Sequence, residues 1–144
     1  MLATTAERVS SNTPEEINER IAEQTEASIS RHAHADRWAI ERRLAQLDAE
    51  WDVERCLETM APTVTLLGLL LSVRVHRRWL ILPALVQTFF LQHALQGWCP
   101  PLPLLRQLGI RTADEINKER YALKALRGDF ENVSAHDVME AVEK

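Results

Sequence analysis

The 144-residue chain carries a formal net charge of −4, two cysteines, four glycines and six prolines. The mildly acidic balance argues against a general nucleic-acid binder, and two cysteines are too few for a disulfide scaffold at this length. Scarce Gly and Pro beside abundant Ala, Leu, Glu and Arg point to an all-α protein, one domain or a small core with helical arms. The mean hydropathy of −0.22 averages a polar first and last third with an apolar middle.

Residues 1–12 lack a basic segment followed by an apolar one, so no cleaved secretory signal is read there, and the stretch is expected to be disordered. Thr13-Pro14-Glu15-Glu16-Ile17 is a helix start: Thr13 caps, Pro14 suits the first position, and Glu16 completes a capping box. Nothing breaks a helix from there to Glu58, so residues 13–58 read as a helical arm, one long amphipathic helix or two abutting ones. Its apolar stripe is thin at Ile17, Ile21 and Ile29. At Ile40, Leu44, Leu47 and Trp51 it becomes a coiled-coil-like seam, too short for a free-standing zipper and suited to packing on another helix. His32, His34 and Asp36 offer at most two metal ligands on one face, where structural zinc takes four, so they read as a solvated surface.

Residues 59–99 have the sequence form of a transmembrane helical hairpin. An uncharged run from Thr59 to Val73 spans about 22 Å at helical rise, short of the roughly 30 Å hydrocarbon core, a deficit that snorkelling and thinning can absorb. The second run, Trp79 to Trp98, is long enough, and a tryptophan at each end suits the two interfaces. Ala61, Thr65, Gly68 and Ser72 put small residues on one stripe of the first run, the seam expected to pack, facing Ala84 or Thr88 of the second. Ala84, Thr88, Gln92 and Gln96 continue the second stripe toward protein rather than lipid. Gln87 and His93 lie off it and imply further helices or a second protomer. Arg74, Arg77 and Arg78 in the connecting loop suit anionic lipid headgroups. Arg42, Arg43, Arg55, Arg106, Arg111 and Lys118 on the terminal side outnumber them, which favours both termini inside. A soluble bundle with this segment as its core is the alternative, supported by the four polar side chains of the second run.

Residues 100–144 read as a Pro-rich turn and C-terminal helices. Thr112 caps a helix with Glu115 at its third position, running to about Leu126 and stopped by Gly128, and Ser134 caps a short terminal helix. Thr13-Pro-Glu-Glu-Ile-Asn18 and Thr112-Ala-Asp-Glu-Ile-Asn117 are alike through shared capping chemistry or through duplication.

No phosphate loop, Ser-His-Asp order or paired buried carboxylates can be assembled, so a non-enzymatic protein without a cofactor is expected. A hairpin brings Cys56 and Cys99 to one membrane face, with His93 under two helical turns away. Those three are weak candidates for a soft metal ion or sulfane sulfur, against the plainer reading of packed thiols and a hydrogen-bonded imidazole.

The stretch entered through Val53-Glu54-Arg55 and closed by Gly97-Trp-Cys99-Pro100 and Leu108-Gly109 resembles the YgaP-like inner-membrane family, the transmembrane anchor of a membrane-bound rhodanese, over about residues 52–110. The resemblance implies a two-helix membrane module that self-associates and stands near sulfur-transfer domains. This chain carries no rhodanese domain and adds helices on both sides. The expectation is therefore a small protein of the bacterial inner (cytoplasmic) membrane, both termini cytoplasmic, acting as anchor or assembly subunit. Its partners are membrane lipid and a second copy or another membrane protein. A thiol-dependent carrier centred on Cys99 and a soluble helical adaptor are the other readings.

Overall fold

The structure, a computed structural model, describes residues 4 and 7–131, and the helix expected from Ser134 lies outside them. Among the described residues the protein is all-α, with no strand. Six α-helices follow in order: α1 (Glu15–His32), α2 (Arg37–Ala49), α3 (Val53–Arg74), α4 (Ile81–Gln96), α5 (Leu102–Gln107) and α6 (Ala113–Arg127), with 3-10 turns at Ser10–Asn12 and Arg77–Leu80.

The arm expected over residues 13–58 as one long helix or two abutting ones is interrupted twice, each time by an aspartate that starts a new helix. Asp36 Oδ1 accepts the Ala39 N–H at 2.9 Å and Asp52 Oδ1 accepts the Arg55 N–H at 2.7 Å. A short carboxylate meets the free N–H groups of a first turn so well that it nucleates a helix start where no glycine or proline marks one. Thr13, expected as a cap, is buried, its hydroxyl donating to the Val9 carbonyl and accepting from Arg106 Nε. The Pro14 carbonyl instead accepts the first N–H groups of α1, from Ile17 and Asn18.

The expected division at residues 12, 58 and 99 is not the one the fold makes. Two compact units form: one from the residues up to Glu19 with Trp51–Ala113, the other from Arg20–Glu50 with the residues from Asp114 on. The second unit pairs the two arms that the sequence places apart. Ile40, Leu44 and Leu47 of α2 cluster with Ile116 and Leu123 of α6, so the short seam does pack on another helix. Trp51, read as its last position, lies beyond α2 and is exposed, with the Arg55 guanidinium 4.5 Å above its ring. At the centre Glu119 is fully buried; its Oε1 accepts from Ser28 Oγ (2.6 Å) and Arg43 Nε (2.8 Å), its Oε2 from Arg43 Nη2 (3.0 Å). One carboxylate thus ties α1, α2 and α6. Gly128, at φ 89°, ends α6 in the left-handed region that favours glycine.

The first unit holds α3, α4 and α5. Its core is Val9, Val53, Leu57, Cys99, Leu102 and Leu105, with Phe90, Trp98 and Cys56 packed around it. Residues 7–12, expected to be disordered, are ordered by this core: Val9 is buried, Arg8 Nη1 donates to the Ala94 carbonyl (3.1 Å) and Asn12 Nδ2 to the Gln96 carbonyl (2.8 Å). Those carbonyls belong to the last turn of α4, which has no helical partners for them. Arg106, fully buried, donates to Thr13 Oγ1 (3.2 Å), the Ile110 carbonyl (3.1 Å) and Asn18 Oδ1 (2.8 Å), fastening this segment to α5.

Candidate functional site

Where α3 meets α4, Gly68 is buried, and a Cβ placed on it would lie 2.6 Å from Pro83 Cδ and 2.9 Å from Pro83 Cγ. The small-residue seam therefore meets Pro83. Ala84 and Thr88, read as the facing residues, are exposed, and the Thr88 hydroxyl turns back to the Ala84 carbonyl at 2.8 Å. The packed face of α4 is instead Pro83, Val86, Phe90 and His93, about one residue round from the stripe expected. A rigid ring filling the notch of a glycine packs better than two small side chains that leave a gap. Elsewhere on the seam Ala61 is buried, Thr65 Oγ1 accepts from Gln87 Nε2 at 2.7 Å, and the Ser72 hydroxyl donates to its own helix at Leu69. Gln87, read as off the packed stripe, is the polar link between the two helices. Arg74, Arg77 and Arg78 are all exposed, and the His76 ring accepts the Arg78 N–H at 3.0 Å.

At the other end of the same pair lie Cys99 and His93, both buried. Gly97, at φ 76°, stops α4, its N–H on the His93 carbonyl at 2.7 Å. The turn it makes brings Cys99 back toward the helix it has just left, so that Cys99 Sγ lies 3.5 Å from His93 Nδ1. Both side chains are buried, Cys99 to 2% exposure and His93 to 3%. When the thiol donates to Nδ1, the ring proton sits on Nε2. That Nε2 has no hydrogen-bond partner, nor do the buried Glu54 Oε2 and Arg8 Nε close by. Arg8 Nη2 and Glu54 Oε1 are 3.9 Å apart, a loose ion pair. Cys56 is half-buried and packs against the core rather than joining the Cys99–His93 pair. Among the described residues no three His, Cys, Asp or Glu side chains are placed to hold a metal ion, so Cys56, His93 and Cys99 do not make the three-ligand set considered from the sequence.

Beside Cys99 an apolar cavity of about 270 Å3 opens between α3 and α4, walled by Leu57, Ala61 and Val64 on one side and Val86 and Phe90 on the other, with Pro100 at one end. Cys99 is the one lining residue with a nucleophilic side chain. Sequence reasoning singled out Cys99 and His93 but missed Arg8 and Glu54, whose approach depends on how the residues before α1 fold back. No protein-family model matches the chain, and no curated protein and no solved structure matches it.

Proposed function

We propose that the protein is a small integral membrane protein, non-enzymatic in its main role, in which α3 and α4 form a hairpin across the bilayer and anchor the remaining helices. The observation that carries this reading is the apolar surface the pair leaves uncovered: Leu66, Leu67, Leu70 and Val73 on α3 and Ile81, Leu85, Leu91 and Leu95 on α4 are all exposed. A soluble monomer does not present a belt of that size, because each such side chain forfeits the free energy of leaving water. The uncharged stretch of α3, residues 59–73, rises about 22 Å and the 16 residues of α4 about 24 Å, each short of a hydrocarbon core of roughly 30 Å by a deficit that snorkelling and local thinning absorb. One helix, ending at Arg74, is long and apolar enough to cross a membrane by length and composition.

The reading includes a bacterial-type inner membrane, both termini on the cytoplasmic side, and Arg74, Arg77 and Arg78 at lipid headgroups. It also includes assembly with a second copy or another membrane protein, and a YgaP-like anchor over residues 52–110. Membrane fractionation tests it. Full-length protein should stay with the membrane through high-salt and alkaline washes and leave only with detergent. Recovery in the soluble fraction without detergent defeats the proposal in favour of a helical adaptor.

A further inference from the structure

The buried pair at the foot of α4 is more than packing requires. A cysteine placed only to fill space needs no imidazole at hydrogen-bond distance, and burying an imidazole whose far nitrogen meets no partner has a cost that an apolar residue there would avoid. The cavity adds an independent observation. It begins at Cys99 and runs between α3 and α4 from the level of Leu57 to that of Val64, a rise of about 10 Å. No charged side chain lines it, so the ligand it suits is a hydrocarbon chain whose reactive end stops at the thiol.

We propose that Cys99 is an acyl-accepting thiol: it takes a medium-chain acyl group from an acyl thioester, the hydrocarbon lying in the cavity between α3 and α4. His93 Nδ1 accepts the thiol proton as Sγ bonds to the acyl carbonyl carbon. The tetrahedral intermediate collapses with loss of the donor's thiolate, which takes the proton back from His93 and leaves as a free thiol. One thioester is exchanged for another, with no change in oxidation state and no metal needed. Burial of Cys99 and His93 keeps bulk water from the new thioester. The modification goes beyond the anchoring role and does not depend on it.

Detergent-solubilised full-length protein incubated with octanoyl-coenzyme A should gain one acyl group by intact mass, removable with neutral hydroxylamine. Cys99→Ala should abolish the adduct and Cys56→Ala leave it. His93→Gln should slow acylation at least tenfold without altering the preference for chain length. Acetyl-coenzyme A should react at least tenfold more slowly than the octanoyl donor, and Val64→Trp, which shortens the cavity at its far end while sparing Cys99, should shift preference toward shorter chains. Circular dichroism on each variant separates loss of reaction from loss of fold. No adduct on folded wild-type protein, an adduct on Cys56, or equal rates with acetyl and octanoyl donors overturns the proposal. A protein that is acylated at Cys99 yet fractionates as soluble removes the anchor reading and leaves this one standing.

Discussion

The two units handle their leucines in opposite ways. Around Glu119, the seam of α2 and its counterparts on α6 are buried, and polar side chains take the outer faces. Along α3 and α4 the burial is confined to a narrow line through Val53, Leu57, Ala61 and Gly68 on α3 and Pro83 and His93 on α4, while leucines cover the rest. In water, apolar area drives packing and one stripe per helix suffices. Where apolar residues surround a helix, they cannot tell it which way to turn, and contact falls to whichever residues permit close approach. The same chain thus uses two rules, and each can be tested by substitutions that matter under one and not the other.

The largest effect is expected at Glu119. Glu119→Ala leaves the Arg43 guanidinium and Ser28 hydroxyl without their acceptor and should destabilise the unit of α2 and α6 by about 3–4 kcal/mol, as breaking a buried ion pair does. Denaturant titration in detergent should show this unit melting early, with membrane partitioning unchanged. If partitioning fails too, the units are not independent.

Next comes Gly68. Any side chain there collides with the Pro83 ring, which cannot swing away, so Gly68→Leu should cost about 3 kcal/mol. Leu69→Ala, on the exposed side of the same turn, should cost under about 0.5 kcal/mol in a bilayer or micelle, where leucine and alanine both meet hydrocarbon. Thermal unfolding of the two variants in detergent compares them directly. A larger loss for Leu69→Ala would mean that α3 turns this face to protein.

Gly97→Ala comes third, at about 2 kcal/mol. A Cβ there would stand 2.2 Å from the Arg8 carbonyl oxygen, at a φ of 76° that alanine adopts only under strain. The segment of residues 7–13 should come loose first, read as new protease cleavage before α1 while α3 and α4 stay intact. Gln87→Leu should then cost about 0.6–1 kcal/mol, the usual worth of one interhelical hydrogen bond in lipid.

The smallest effect is a pH dependence. Arg127 Nη2 meets Asp129 Oδ2 at 2.5 Å, and this hydrogen bond, with the guanidinium charge, holds the Asp129 carboxyl below its ordinary value. A carboxyl depressed on folding contributes stability that is present in full above its unfolded value, near 4, and is lost as pH falls through the folded one. Asp129→Asn should therefore lower the melting temperature by a degree or two at about pH 7, worth under about 1 kcal/mol, and the gap should close in acid. A gap that persists at low pH would assign the effect to something other than charge.

Much of the secondary structure was legible. The all-α class, the Pro-rich turn from residue 100 and the stop at Gly128 follow from composition, the prolines and the glycine. The starts at Asp36 and Asp52 were not read, although the capping signal was present, because no break accompanied either aspartate. The candidate site was legible in part: Cys99 and His93 were marked by spacing and lie together, whereas the contribution of residues 7–12 had no signal at all.

Periodicity and capping act within a few residues, so the sequence by itself determined that the chain is helical, which stretch carries a seam and where apolar surface is in excess. Only the tertiary structure decided that the arm before α3 and the arm after α5 share a core, that Pro83 rather than Ala84 fills the notch at Gly68, and that Arg8 closes over the end of α4. Each of these joins residues far apart in the chain, and each depends on shape rather than polarity. A proline ring and a pair of small side chains read alike on a hydropathy scale; they differ only once a second helix is there to be filled or missed.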